Sequence, residues 1–172
     1  MIAKAAEAMV AALDAGHKII WCGNGGSATQ SQHMAAEFVG RFSKERRSLA
    51  SISLTENMAS VTAIANDYDY ERIFVRQLEG LSRPGDVVIG LSTSGTSRNV
   101  VAALRRAKAL GLTAIGLTGA SGTTMRESCD ICIEVPSIIT ARIQEAHLTI
   151  GHILCAVVEE RILAQSPASS SS

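Results

Sequence analysis

The sequence predicts an α/β protein: one domain built on a five-stranded, doubly wound parallel sheet of flavodoxin type, closed by a long C-terminal helix. Three observations carry that expectation. Short apolar runs recur at Lys18–Cys22, Leu49–Leu54, Asp86–Leu91, Leu112–Leu117 and Ile131–Val135, with helical periodicities between them. Strands that alternate with helices form parallel sheets, because each crossover helix returns the chain to the end where the previous strand began. The two loops richest in glycine and serine follow strands one and three. Those strands are neighbours in a 2-1-3-4-5 order, where ligands bind beyond the strands' carboxyl ends.

The elements follow in chain order. Ile2–Ala15 repeats apolar residues at helical spacing, and Gly16 ends the pattern. The first strand runs into Gly23-Asn24-Gly25-Gly26-Ser27, and a helix is expected from Ala28 to Phe42. After the second strand come helical stretches at Asn57–Ala65 and Tyr70–Leu81, split by Asn66-Asp67-Tyr68-Asp69. The turn Arg83-Pro84-Gly85-Asp86 opens strand three, Arg98–Leu110 is helical, and Gly111 precedes strand four. Gly119-Ala120-Ser121-Gly122 reads as a turn, and Pro136 ends strand five. Ile139–Ala164 is apolar around most of its circumference, as in a helix packed on several sides; a partner subunit supplies such packing, so an oligomer is expected. The domain spans residues 1–165, and Ser166–Ser172 reads as a disordered tail.

Composition narrows the function. Lys plus Arg and Asp plus Glu are 16 each, a formal net charge of zero. A neutral chain lacks the basic footprint of a nucleic-acid binder, and one Trp, two Tyr and three Phe make no stacking platform. No apolar run approaches the roughly 20 residues of a membrane span, and residues 1–14 lack the pattern of a signal peptide, so a cytoplasmic protein is expected. Cys22, Cys129, Cys132 and Cys155 read as packing residues. The Cys129-x-x-Cys132 pair has no second half to complete a zinc site.

Two loops point to a ligand. In Ser92-Thr93-Ser94-Gly95-Thr96-Ser97, every residue but the glycine carries a hydroxyl, and the stretch joins a strand to a helix. Free amides and the helix dipole at such a point favour an anion, and hydroxyls add donors. There is no Lys, which excludes a Walker loop; the loop reads as a phosphate cradle rather than a helix cap alone. The first loop resembles the dinucleotide fingerprint weakly, but no acidic residue closes strand two. Its glycines suit close approach to a smaller polar ligand, with Asn24 and Ser27 as hydrogen-bonding residues.

His33 and Glu37 share a helix face at four-residue spacing. Gln144 and His152 lie eight apart, about two turns of roughly 5.4 Å each. Histidine and carboxylate are common zinc ligands and Gln a rarer one. From spacing alone, a surface ion pair and a satisfied core histidine remain equal alternatives. His17 and His147 read as structural or exposed.

Taken together, Gly23-Asn24-Gly25-Gly26-Ser27, His33-x-x-x-Glu37, Asn66-Asp67, Ser92-Thr93-Ser94-Gly95-x-Ser97 and Arg142-Ile143-Gln144-Glu145-x-His147 with His152 resemble the sugar isomerase (SIS) domain family, and within it the phosphoheptose isomerases. The motifs stand in the family's order from about Gly16 to Glu160. The resemblance implies an aldose–ketose isomerase that converts sedoheptulose 7-phosphate to D-glycero-D-manno-heptose 7-phosphate, the first step of ADP- or GDP-heptose biosynthesis. It implies a homotetramer with sites between subunits, where the apolar final helix alone leaves a dimer open as well. Asn24, Gly25, Gly26, Asn66 and Asp67 would line the sugar site. Ser92, Thr93, Ser94 and Ser97 would hold the phosphate. His33, Glu37, Gln144 and His152 match the family's zinc positions, one ion per subunit, and Glu37, Gln144 and the glycine loop also meet substrate.

Glu37 and His152 further match the family's acid/base pair. In that role one removes a proton beside the carbonyl, an enediol(ate) forms, and the other returns a proton to the neighbouring carbon. Glu37 is read as base and His152 as acid. Two features depart from the family pattern: the chain starts about one helix later, and Ala141 stands where some members carry Asp. The competing expectation is a non-catalytic SIS protein, which binds a replication initiator or acts as a phosphosugar scaffold. That relative lacks the acid at the position of Glu37 and the histidine at that of His152, and both are present here.

Overall fold

A computed structural model describes residues 1–165. Helix α1 (Ile2–Asp14) precedes β1 (Ile19–Gly23), α2 (Gly26–Val39) and β2 (Ser51–Ser53). Then come α3 (Met58–Asp67), a 3-10 turn at Tyr70–Arg72, α4 (Ile73–Leu81), β3 (Val87–Ser92) and α5 (Arg98–Ala109). The chain continues through β4 (Thr113–Gly119), α6 (Thr123–Ser128), β5 (Ile131–Val135) and α7 (Thr140–Gln165). The sheet order is β2-β1-β3-β4-β5 and every pairing is parallel, as the sequence predicts. The expected tail, Ser166–Ser172, lies outside the described residues.

Two-residue side-chain alternation divides each strand between two cores. Ile19, Trp21, Ile89, Leu91, Ile115 and Leu117 face α1, α2 and α7. Ile20, Cys22, Val88 and Ala114 face α4, α5 and α6, with Phe74, Leu78 and Leu104 packed on them. A parallel sheet buried on both faces has near-continuous apolar strands, as these are. Trp21 is fully buried, and its indole N–H donates to Ser51 Oγ at 3.0 Å, joining β1 to β2.

The elements differ from expectation mainly at their ends. Strand β2 holds only the three residues that pair with β1, although Leu49 and Leu54 on either side are buried. Helix α2 starts on Gly26 and stops at Val39. Helix α6 spans six residues, too short for a periodicity to announce it. Within one chain α7 buries one stripe, Ile143, His147, Gly151, Leu154, Cys155, Val158, Glu159 and Ile162. Ile153 remains exposed. Helix α3 buries none of its residues fully despite its apolar content. All four cysteines are free, and burial raises the Cys22 and Cys155 thiols to about 12, which suits inert packing residues.

The register of β1 against β3 pairs Gly23 with Leu91. The two strands therefore end side by side, and the loops after them start together at the carboxyl edge of the sheet.

Candidate active site

The glycine loop and the serine loop are joined through side chains. Asn24 Nδ2 donates to Asn99 Oδ1 and Asn99 Nδ2 donates back to Asn24 Oδ1, both at 2.8 Å. Tyr70 Oη donates to the same Asn24 oxygen at 3.0 Å. Asn99, in the first turn of α5, and Tyr70 are site residues that motif reading missed. A buried Asn on the apolar face of a predicted helix was the available signal, because such a group needs a partner.

The two helix N-termini differ in what they leave free. At α2, Ser27 N donates to Asn24 O, and Ala28 N and Thr29 N donate to Gly25 O. At α5, the amides of Ser97, Arg98 and Asn99 have no acceptor among the described residues. Orphan amides at the positive end of a 12-residue helix can receive an anion. The hydroxyls of that loop are already ordered. Ser92 Oγ meets Ser97 Oγ at 2.8 Å, Ser94 Oγ meets Thr96 Oγ1 at 3.0 Å, and Gly95 N donates to Ser92 Oγ at 3.1 Å. Gly95 holds a left-handed φ of +69°, and a Cβ there would collide with the Gly122 backbone. Beside the loop, Thr93, Ser94, Thr96, Ser121, Ser137 and Thr140 line a cavity of about 300 Å³. Ser121, Ser137 and Thr140 are additions to the sequence-predicted set.

Glu37 and His152 share a cluster with His33. His33 Nε2 lies 3.0 Å from His152 Nε2 and 3.4 Å from Glu37 Oε1, and one ligand atom of each residue lies within 4.8 Å of the others. Ligand atoms around a tetrahedral zinc with bonds of about 2.0 Å sit roughly 3.3 Å apart, so this donor set fits one ion. The side chains of His33 and Glu37 are 46% and 21% exposed, which leaves the cluster open to a ligand. The Phe42 ring covers His152 at a centroid distance of 5.5 Å.

Gln144, two turns before His152, rests against the glycine loop: a Cβ on Gly26 would come within 2.7 Å of its Nε2. Its backbone carbonyl accepts from Gln30 Nε2 at 2.8 Å, tying α7 to α2. Ser27 is buried, with its Cβ packed against Gly23.

Asn66 and Asp67 form no hydrogen bond with the glycine loop among the described residues. They are exposed at the end of α3, where Asn66 Nδ2 donates to Asp67 Oδ1 at 2.9 Å. Asp67 lines a groove with Ser53, Glu56 and Asn57, whereas Asn24, Gly25, Gln32 and Thr55 line a different cavity. A larger groove of about 750 Å³ runs along α5 past Arg98 and Arg105 and contains none of His33, Glu37 and His152. No described helix is long and apolar enough to cross a membrane.

Comparison with known proteins agrees with this geometry. Residues 1–119 match the SIS domain family. The phosphoheptose isomerase of a Roseiflexus species is 52% identical over 162 residues, covering 94% of this chain and 82% of the relative. The phosphoheptose isomerase of a Nitratiruptor species is 55% identical over 143 residues, covering 83% and 76%. Among solved structures, the phosphoheptose isomerase of Neisseria gonorrhoeae superposes with a TM-score of 0.87 at 40% identity, covering 92% of this chain and 85% of that one. The enzyme from Francisella tularensis gives 0.89 at 38% identity, with the same coverage. With its five parallel strands, its hydroxyl-lined loop and its imidazole–carboxylate cluster, the chain belongs to the SIS domain family and stands among the phosphoheptose isomerases.

Proposed function

We propose that this isomerase interconverts sedoheptulose 7-phosphate and D-glycero-D-manno-heptose 7-phosphate through an enediol(ate), as the first step of ADP- or GDP-heptose biosynthesis in the cytoplasm. The observation that carries the reading is the placement of Glu37 and His152 in one open cluster with His33. The hydroxyl and amide cradle at the start of α5 opens at the carboxyl edge of the sheet. Glu37 lies roughly 16 Å further along α2, so the cradle and the cluster join across neighbouring subunits.

The phosphate is remote from the carbons that react. Ser92, Thr93, Ser94 and Ser97 bind it, and that binding energy holds the first two carbons against the acid/base pair. Asn24, Gly25, Gly26 and Gln144 orient the sugar hydroxyls. Glu37, as carboxylate, takes the proton from C1 of the ketose; His152 delivers a proton to C2, which gives the aldose. The order reverses for the return reaction.

His33, Glu37 and His152, joined by Gln144, would hold one zinc ion per subunit. When bound, zinc polarises sugar oxygens and stabilises negative charge.

The protein works as a homo-oligomer, with a tetramer as the expected assembly. The exposed Ile153 and the unburied α3 support this, because both leave apolar surface uncovered in one chain. In that assembly Asn66 and Asp67, which form no hydrogen bond with the glycine loop of their own chain, serve a site shared with a neighbouring subunit.

The test is incubation with sedoheptulose 7-phosphate, with and without a chelator, followed by NMR of the aldoheptose. Conversion that the chelator abolishes and zinc restores is expected. Binding without conversion under all conditions would leave a phosphosugar scaffold instead.

A further inference from the structure

The cluster is built from two elements, α2 and α7, and one buried ion pair joins them. Glu159 lies seven residues after His152, two turns along α7 on the same face, and is 1% exposed. Its carboxylate accepts five hydrogen bonds. Three come from backbone amides, Phe42 N at 3.0 Å, Ser43 N at 3.0 Å and Lys44 N at 2.7 Å. Ser43 Oγ at 2.8 Å and Arg46 Nε at 3.0 Å complete the set.

Arg46, whose side chain is 2% exposed, carries the connection to the other helix. Its Nη2 donates to Glu37 O at 2.7 Å. Its Nη1 donates to Phe38 O at 3.0 Å and, beyond the helix, to Gly40 O at 3.3 Å and Arg47 O at 3.0 Å. The last turn of a helix leaves carbonyls without intrahelical donors, and here one guanidinium supplies them. The cation thus sits on the backbone of Glu37 itself, and the anion on the helix of His152.

Between the two lies the segment 40–47, whose amides Glu159 collects. Phe42 belongs to it, and Phe42 donates its amide to Glu159 while its ring covers His152. Burial pushes the Glu159 carboxyl up, but the donors from Ser43, Phe42 and Lys44 outweigh it and hold the group below the usual carboxylate range. The carboxylate is thereby kept charged. At the opposite end, Gln30 ties α2 to Gln144. His33, Glu37 and His152 stand between these two ties.

We propose that Arg46 and Glu159 are positioning residues that set the separation of Glu37 from His152, so that losing the pair lowers turnover and metal affinity rather than substrate affinity. The proposal rests on the acid/base reading of Glu37 and His152. Neither residue reaches the ligand cavities, so each acts through the group it holds. Outer partners of metal ligands typically change metal affinity or activity by about 10–100-fold. A pair that served packing alone would change stability and leave the site's geometry in place.

The experiment uses the full chain with three variants. Arg46→Met/Glu159→Leu replaces the pair with apolar groups of similar volume, so that neither charge is left buried without its counterion. The backbone groups that the pair satisfies lose their partners, and the thermal midpoint reads that cost. Arg46→Lys keeps the charge but cannot bridge the Glu159 carboxylate and the α2 carbonyls together. Ile20→Val, in the core on the far side of the sheet, lowers stability without touching the cluster. Each is measured for kcat, KM, zinc affinity and thermal midpoint. In the metal-free protein, the nuclear Overhauser contact between the His33 and His152 rings is also recorded; their centroids lie 5.3 Å apart.

The double variant is expected to lose about 10–100-fold in kcat and in zinc affinity, with KM within about threefold and a weakened ring contact. Arg46→Lys falls between it and the wild type, and Ile20→Val keeps kcat and the ring contact. The proposal is overturned if the double variant retains kcat and zinc affinity within twofold and keeps the ring contact, or if its losses merely follow the thermal midpoint as in Ile20→Val. If the wild type does not isomerise the sugar, the functional reading fails, while the ring contact still decides the positioning role.

Discussion

His33 and His152 are separated by 119 positions in the chain, yet their Nε2 atoms face each other at 3.0 Å. Two imidazole lone pairs cannot meet at that distance unless a proton or a cation lies between them. With Glu37 Oε1 at 3.4 Å from His33, the third donor is anionic, which favours a divalent ion. Zinc at about one hundred times its dissociation constant adds about 2.7 kcal/mol to the folded state. For a chain of this size that raises the thermal midpoint by roughly 5–11 °C. Calorimetry with and without zinc checks this, and His33→Ala is expected to remove most of the shift.

The phosphate cradle predicts a split in the kinetics. Ser94 Oγ meets the Ser92 and Thr96 hydroxyls and accepts from Thr96 N at 3.2 Å, and its side chain is exposed to a ligand. A hydrogen bond to a charged group contributes about 1.5–3 kcal/mol, so Ser94→Ala is expected to raise KM by roughly 10–100-fold. The change in kcat should be much smaller, because the phosphate is remote from the reacting carbons. Steady-state rates over a range of sugar phosphate concentrations separate the two.

Gly95 tests whether the loop's shape matters as well as its hydroxyls. A side chain there costs about 1–2 kcal/mol for the left-handed conformation and also meets the Gly122 backbone. Gly95→Ala is therefore expected to lower stability by more than about 2 kcal/mol and to weaken phosphate binding, as read by urea unfolding and by phosphate titration.

His147 predicts a pH dependence. It is 1% exposed on α7, and neither ring nitrogen has a well-aligned hydrogen-bond partner. Burial lowers its pKa below the ordinary 6.5, with the Thr118 backbone opposing in part. The unfolded chain then binds a proton that the folded chain refuses, so stability is full above pH 6.5 and declines as the pH falls through the lowered folded value. The slope approaches about 1.4 kcal/mol per pH unit in that window. His147→Leu, which removes no well-formed hydrogen bond, should flatten the curve in urea melts between pH 7 and 5 and leave the stability at pH 8 nearly unchanged.

The sheet was legible because its signals are local. Each strand is a short apolar run, and the positions of the glycine and serine loops determine which strands neighbour each other. Glu37 and His152 were legible only as separate spacings on two helices, and family resemblance was needed to join them. What the sequence concealed depends on contacts across the fold. Asn99 looks like an ordinary residue of α5 until Asn24 meets it from 75 positions away. Arg46 and Glu159 look like two more surface charges, because nothing in residues 40–47 indicates that a carboxylate 113 positions later gathers them. Helix α6 is too short to carry a period, and the end of α2 is set by a guanidinium outside the helix.

The most direct measurement is turnover of sedoheptulose 7-phosphate by Glu37→Gln beside the wild type, with sugar phosphate binding measured on the same samples. The variant keeps the shape of the side chain and removes its capacity to take a proton. The expected result is loss of turnover by at least about 10²-fold with phosphate-sugar binding largely intact. Conversion by Glu37→Gln at the wild-type rate would contradict the assignment of the cluster as the acid/base centre.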